Sequence, residues 1–226
     1  MKLLLFIFFP FLLFSQNNLE KAITLFNQQK FELAQPYFEL ELKQTPNNLK
    51  VLEYLGDING NLKEWDKAIF YYTRLKTLRP SESNYHYKYG GALALKTKDG
   101  NKLLGLRNIP KIRKAFETAI LLKPNSIESR MALIELYIQL PGFVGGSEPK
   151  ANKYADEIMR LSPVDGYVAK GHIEEFFGRF DNAEKRYRMA FEIGKSKFTF
   201  QKLYDLYAVK IKDIEKAKKL KAQFEK

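Results

Sequence analysis

Two histidines and several carboxylates are the side chains of this 226-residue chain best suited to catalysis or metal binding. His172 begins the stretch HIEEF, which is similar to the H-E-x-x-H motif, in which two histidines one helical turn apart bind zinc. The second histidine is missing here. Glu174 and Glu175 are adjacent, so on a helix they diverge and do not face each other as an acid–base pair. These residues predict neither a metal site nor a catalytic pair.

A glycine-rich stretch, LPGFVGGSEPK at 140–150, raises the possibility of a phosphate-binding loop. A Walker loop reads G-x-x-x-x-G-K-[ST], follows a strand and opens a helix. Here Lys150 comes four residues after Gly146 and is followed by Ala151, and the preceding MALIELYIQL has helical periodicity. The motif therefore fails, and weak anion binding at the helix start beside Lys150 is the alternative.

The same stretch fits a turn between two helices. Gly145 and Gly146 permit a positive φ, and Ser147 is placed to cap the following helix. We expect Phe143 and Val144, which are apolar and central in the loop, to pack back onto the helices.

Other catalytic arrangements find no support in the sequence. The chain has no cysteine, which excludes disulfides, thiolate metal sites and thiol nucleophiles. His86 lies among tyrosines in NYHYKYG, as expected of a packed, hydrogen-bonded ring, and no serine–histidine–aspartate arrangement stands out. We therefore predict a protein that is not an enzyme and has no cofactor-binding, metal or catalytic residues.

A repeat of 34 residues organises the first half of the chain. Four pairs of similar residues recur at this spacing: Phe31 and Trp65, Ala34 and Ala68, Phe38 and Tyr72, and Pro46 and Pro80. Thirty-four residues is the period of a helix–turn–helix solenoid unit. Small alanines let paired helices approach, aromatic rings fill the space between neighbouring units, and prolines end helices.

The stretch YLGDINGNLKEWDKAIFYYTRLKTLRP, residues 54–80, resembles a tetratricopeptide repeat. The stretch GHIEEFFGRFDNAEKRYRMAFEIG, residues 171–194, shows the same pattern. The resemblance covers nearly all of the chain after its first fifteen residues. It implies an all-α fold, an α-solenoid of helix-turn-helix repeats forming a right-handed superhelix.

The repeat pattern divides residues 16–226 into units of a single solenoid domain. The units span about 16–48, 49–82, 83–126, 127–163, 164–197 and 198–226. Pro80 to Pro124 is 44 residues and Pro124 to Pro163 is 39, so both intervals exceed the period. We place the extra residues in insertions near 96–110 and 141–149, where loops of repeat proteins often carry function.

The first fifteen residues have the composition of a secretory signal peptide. Lys2 precedes an apolar stretch from Leu3 to Phe14, and polar residues follow from Ser15. Twelve helical residues rise about 18 Å, too little for a hydrocarbon core of about 30 Å. We expect cleavage after Ser15 and export to the periplasm or the medium; an uncleaved membrane anchor is the alternative.

The resemblance implies a concave groove lined by the first helix of each unit. The positions that map to this groove are Glu53, Asp57, Asn61, Tyr87, Met131, Glu135, Gln139, His172, Glu175 and Phe176. The set is acidic, with aromatic and methionine anchors. We therefore predict a binding or scaffold protein whose partner is an extended, neutral or basic peptide or protein segment. The alternative is that several of these residues simply face solvent.

A basic segment offers a second functional hypothesis, in a chain whose net charge is +12. Its cations are Lys96, Lys98, Lys102, Arg107, Lys111, Arg113 and Lys114. With the leucines and isoleucines between them, they could form an amphipathic helix on an anionic envelope surface. The other reading is a solvated helix face with its apolar residues packed inside. A transporter-associated small-molecule or lipid carrier is a third possibility, and an exported protein is not expected to bind nucleic acid.

Overall fold

The computed structural model describes the backbone of residues 9–100 and 105–224, and the side chains of these ranges from residue 18 on. This part of the chain contains twelve α-helices and no strand. The helices are α1 (Phe9–Asn27), α2 (Phe31–Gln44), α3 (Leu49–Asn61), α4 (Trp65–Leu78), α5 (Ser83–Asp99), α6 (Ile109–Leu122), α7 (Ile127–Gln139), α8 (Glu148–Leu161), α9 (Pro163–Phe176), α10 (Phe180–Gly194), α11 (Lys197–Asp205) and α12 (Ile214–Phe224). The predicted all-α helical-repeat fold is confirmed.

Consecutive helices pack in pairs, and in each pair we call them the first and the second helix. Short turns join them: Lys63 takes a positive φ of 58° between α3 and α4, and Gly178 takes 72° between α9 and α10. Polar side chains cap the N-termini of several first helices. The Asn48 side chain accepts hydrogen bonds from the Lys50 and Val51 amides, and Ser126 accepts one from the Ser129 amide.

Glycine–aromatic contacts hold the two helices of a pair together. A Cβ atom placed on Gly56 would lie 2.5 Å from the ring of Tyr72, and one on Gly171 would lie 2.5 Å from the ring of Tyr187. Because real Cβ atoms do not approach this closely, only glycine lets the tyrosine ring reach the first helix. The contact explains why the repeat keeps a small residue on one helix and an aromatic residue on the other.

Contacts divide the chain into two compact units, Met1–Leu122 and Lys123–Lys226, which we call unit 1 and unit 2. The core of unit 1 includes Ala34, Phe38, Leu55, Ala68, Tyr72 and Leu75. The core of unit 2 includes Leu133, Ile158, Ala183, Tyr187, Ala190 and Leu203. The six repeat units and the single domain proposed from the sequence stay predictions.

Residues 140–147 form a turn held by backbone hydrogen bonds. The Gly146 amide donates to the Pro141 carbonyl at 3.1 Å, and the Ser147 amide donates to the Tyr137 carbonyl at 3.0 Å. Gly145 has a φ of 101°, as a turn glycine permits. Gly146 is needed for a different reason, since a Cβ there would lie 1.8 Å from the Leu140 carbonyl oxygen.

The expectation that Phe143 packs onto the helices is wrong, since its side chain is 88% exposed. The turn closes on itself through its backbone, and this leaves Phe143 on the outside of a short 3₁₀ turn, Gly142–Val144. Val144 is half-buried. The capping role predicted for Ser147 is confirmed, because its hydroxyl accepts a hydrogen bond from the Lys150 amide at 3.4 Å.

Two other segments depart from the regular helix pairs. A 3₁₀ turn, Leu106–Asn108, precedes α6, and a π-helical segment, Leu206–Ile211, continues α11. The predicted signal peptide lies partly outside the described residues, which begin at Phe9, and α1 runs through the expected cleavage point after Ser15. No helix in the described ranges has the length and apolar character needed to cross a membrane.

Candidate functional site

A half-buried lysine joins two first helices of unit 1, α3 and α5. Lys88 of α5 lies 2.7 Å from each carboxylate oxygen of Asp57 and 2.8 Å from Glu53, both on α3. Its side chain is 21% exposed. Burial lowers the pKa of Lys88, but the hydrogen bonds to the two carboxylates more than offset this and raise it overall. Two of the predicted groove residues therefore share one protonated lysine.

A tyrosine from the second helix orients Asp57. The Tyr72 hydroxyl of α4 donates to a carboxylate oxygen of Asp57 at 2.6 Å. Burial, followed by the charge of Asp57, raises the pKa of Tyr72, so the hydroxyl keeps its proton and stays a donor. The glycine at position 56 is what allows this ring to reach α3. The position of Asp57 is thus set by both helices of its pair and by α5.

A cleft of about 340 Å³ opens beside this cluster. We call it the Trp65 cleft; its walls include Phe26, Asp57, Asn61, Trp65, Lys88 and Leu95. The Trp65 indole N–H donates to Asp99 at 3.0 Å, which orients the ring in the wall of the cleft. Asn61 is exposed and donates to the Asp57 carbonyl oxygen at 2.8 Å. The cleft combines apolar walls with a carboxylate.

Tyr87, like Glu53, does not line the Trp65 cleft, whereas Asp57 and Asn61 do. Its ring packs against Phe116 of α6, with the ring centroids 5.9 Å apart. Tyr87 therefore contributes to packing between the helices of its pair.

In unit 2 the predicted groove residues on α7 and α9 also meet. His172 lies 2.7 Å from one carboxylate oxygen of Glu135, and Gln139 donates to the other. The side chains of His172 and Glu135 are 29% and 44% exposed. The contact links two successive first helices, as Lys88 does in unit 1.

Glu175 has an environment similar to that of Asp57. The Tyr187 hydroxyl of α10 donates to it at 2.8 Å, and the ammonium of Lys210 lies 3.2 Å away. Burial, followed by the charge of Glu175, raises the pKa of Tyr187. In both units a carboxylate on a first helix binds the tyrosine of its own pair and a lysine from the following segment.

The remaining predicted groove residues of unit 2 are apolar. Met131 is half-buried. Phe176 is 45% exposed and packs edge-to-face on Phe177, with the ring centroids 5.2 Å apart. Phe176 therefore presents an aromatic surface at the end of α9.

The described part of the basic segment has cations at its surface and isoleucines in its interior. Lys98, Arg107, Lys111 and Lys114 are exposed, Arg113 is half-buried, Lys96 is paired with Asp66, and Lys102 lies outside the described residues. Ile109 and Ile112 are buried, with 7% and 1% exposure. Because these isoleucines belong to the core, the described part of the segment is not an amphipathic surface helix.

The ranges 9–100 and 105–224 contain no candidate metal site. No three histidine, aspartate or glutamate side chains come together there in a way that could hold a metal ion. His86 binds the Pro80 carbonyl oxygen at 2.8 Å, the hydrogen-bonded role expected for it.

Sequence reasoning missed Lys88, Tyr72, Trp65 and Lys210 as site residues. The 34-residue register aligns Lys88 with Tyr54, which stacks on Phe38 at 4.6 Å. The 34-residue spacing alone would therefore predict a packed side chain at position 88 and not a polar contact. The sequence signal for Lys88 is a basic residue on one first helix that can reach two acidic residues on the first helix before it.

Comparisons with known proteins identify the fold. No family model matches the chain, and no curated protein matches its sequence. A thermophilic tetratricopeptide repeat protein of Thermus thermophilus, TTC0263, has a TM-score of 0.65 at 16% identity, over 86% of this chain and 100% of its own. A tetratricopeptide repeat protein of Parabacteroides merdae has a TM-score of 0.62 at 18% identity, over 85% and 72%.

PilW, described as a type IV pilus biogenesis factor, has a TM-score of 0.63 at 16% identity, over 92% of this chain and 91% of its own. At these identities the similarity concerns the fold. The chain has the all-α helical-repeat fold of tetratricopeptide repeat proteins.

Proposed function

We propose that the chain is a binding or scaffold protein, not an enzyme, and that the face formed by its first helices holds a peptide or protein partner. The Trp65 cleft is the observation that carries this proposal. It is open, it lies on the face formed by α3 and α5, and it combines apolar walls with polar groups. This combination is typical of sites that gain affinity from apolar contact and orientation from a few polar groups.

Support also comes from how firmly the polar groups are held. Asp57 is positioned by Lys88 and Tyr72, at 2.7 and 2.6 Å. Groups that are already oriented lose less conformational entropy when a partner binds. In a solenoid the first helices face the concave side, where an extended segment can contact several of them at once.

The test is affinity capture with the full chain, comparing two leucine variants. Leu95 is 44% exposed in the Trp65 cleft, and Leu33 is 60% exposed on α2. We expect Leu95→Lys to abolish capture of a discrete protein that wild type and Leu33→Lys both retain, in low and in high salt. Equal capture by all three chains would contradict the proposal. Circular dichroism confirms that both variants are folded.

We further propose that the protein is exported, with cleavage after Ser15. This rests on Lys2 and the apolar stretch from Leu3 to Phe14. The measurement is the mass of the mature protein after fractionation of a Gram-negative host that expresses the full chain. An uncleaved chain in the cytoplasmic fraction would contradict it.

The membrane-binding and carrier hypotheses gain no comparable support. The isoleucines that would face a membrane from the basic segment are buried. Liposome binding by the wild-type chain that weakens with salt would restore the first of them.

A further inference from the structure

We propose that the Trp65 cleft binds a basic side chain, arginine or lysine, of the peptide partner. This inference rests on the proposed function, since it specifies what the first-helix face recognises. It follows from four features of the cleft: its charge, the saturation of its lysine, the unused acceptor position of Asp57, and its apolar walls.

The charge around the cleft is negative. Asp57 lines it, and Glu53 binds its lysine. Lys88 lines the cleft and binds both of these carboxylates. Two carboxylates against one ammonium leave an excess of one negative charge, although the whole chain has a net charge of +12. A cationic group is therefore attracted to this site and an anionic group is repelled.

Lys88 has no donor left for an anionic ligand. An ammonium group has three N–H donors. The three oxygens of Asp57 and Glu53 that surround Lys88, at 2.7, 2.7 and 2.8 Å, account for all of them. A carboxylate or phosphate ligand would have to break these contacts inside a partly buried cluster.

Asp57 retains capacity for one more donor. It accepts two contacts from Lys88 and one from the Tyr72 hydroxyl. A carboxylate has about four lone-pair positions, so about one acceptor position is unused. A guanidinium or ammonium group that enters the cleft can supply that donor.

The walls suit the stem of a basic side chain. Phe26, Trp65 and Leu95 provide the apolar surface. The methylene groups of arginine and lysine pack along such a surface while the charged end reaches a polar group. A cation near the face of Trp65 would gain further attraction from the ring.

Fluorescence of Trp65 tests the inference directly, because this is the only tryptophan in the chain. The full chain is titrated at low salt with acetylated, amidated peptides Ala-Ala-X-Ala-Ala, where X is arginine, lysine, citrulline, leucine or glutamate. Citrulline keeps the shape of arginine without its charge. We expect the arginine and lysine peptides to bind about tenfold more tightly than the citrulline peptide. The glutamate peptide should bind most weakly.

Neutral variants separate a local effect from the overall charge. Asp57→Asn and Glu53→Gln should each weaken binding of the arginine peptide about tenfold. Glu39→Gln is the matched control: it makes the same change of charge at an exposed position on α2, outside the cleft, and should have less than a twofold effect. Leu95→Ala, which removes part of the wall, should weaken the arginine and citrulline peptides equally. Thermal unfolding checks that each variant is folded.

The outcomes distinguish this inference from the proposed function. Equal binding of the citrulline and arginine peptides would overturn the preference for a cation, while peptide binding by this face would still stand. An equal loss in Glu39→Gln and Asp57→Asn would overturn it too, by showing a long-range charge effect. No response of Trp65 to any peptide, with capture still lost in Leu95→Lys, would also overturn the inference and leave the proposed function intact.

Discussion

The Tyr72 hydroxyl on α4 lies 2.6 Å from a carboxylate oxygen of Asp57 on α3, and the ring of the same tyrosine packs against Gly56. One side chain thus closes a helix pair and orients a polar group on the face of unit 1. Tyr187 does the same in unit 2, with its ring against Gly171 and its hydroxyl 2.8 Å from Glu175. Packing and site geometry are coupled through these tyrosines.

Tyr72→Phe should separate the two roles, because it keeps the ring and removes the hydroxyl. Asp57 then loses a charge-assisted hydrogen bond, and we expect the free energy of unfolding to fall by about 1.5–3 kcal/mol. Urea denaturation at pH 7 measures it. Tyr71→Phe is the control, a half-buried tyrosine on the same helix, and should cost less than about 0.5 kcal/mol. Equal losses in the two variants would show that the bond to Asp57 contributes nothing.

Gly56→Ala and Gly91→Ala should have opposite effects although the chemical change is the same. A Cβ at position 56 would lie 2.5 Å from the Tyr72 ring, whereas one at position 91 meets no atom within 4 Å. Overpacking should cost the first variant about 1–3 kcal/mol. The second should gain about 0.4–1 kcal/mol, since alanine has less conformational entropy to lose in a helix. Urea denaturation measures both, and a stabilised Gly56→Ala would contradict the role given to this contact.

The repeat could be read from the sequence because its spacing records contacts inside each helix pair. Ala34, Phe38, Ala68 and Tyr72 recur at 34 residues, and all four are buried in the structure. A pair is a local arrangement of helices joined by a short turn, so sequence distance determines which of its residues meet.

The polar site was less predictable because it depends on contacts between successive pairs. The negative charge expected in the groove from Glu53, Asp57 and Glu175 is partly offset by Lys88 and Lys210. Each lysine comes from the segment that follows the helix pair of its carboxylate partner. The number of residues between the lysine and the carboxylate is not the period of the repeat, so the repeat does not reveal the contact. Phe143 shows the same limit, since backbone hydrogen bonds within the turn place it outside.

Glu184 should make the stability of unit 2 depend on pH. Burial raises the pKa of Glu184. Hydrogen bonds from Lys216, Arg188 and Tyr207 lower it by more than burial raises it, so the net shift of the pKa is downward. A lowered pKa in the folded state stabilises the fold above the ordinary value of 4.5, and this contribution is lost as the pH falls through the folded-state pKa.

Glu184→Gln should therefore cost about 1 kcal/mol at pH 7, because these pairs are partly exposed, and much less at pH 3. Urea denaturation at the two pH values gives the difference. Glu215→Gln is the control: its side chain is 85% exposed and bound to Lys218, so it should cost little at either pH. A loss for Glu184→Gln that is as large at pH 3 as at pH 7 would disprove the electrostatic origin.

Phe143→Ala should leave the free energy of unfolding within about 0.5 kcal/mol of wild type, because surface substitutions remove little packing. The side chain is 88% exposed, so burial contributes almost nothing at this position. Phe116→Ala is the matched change in the core: that side chain is 3% exposed, and its loss should cost about 3–5 kcal/mol. Thermal and urea unfolding of both variants give the comparison. A loss above about 1 kcal/mol for Phe143→Ala would mean that the ring packs onto the protein in solution and that the turn does not hold it outward.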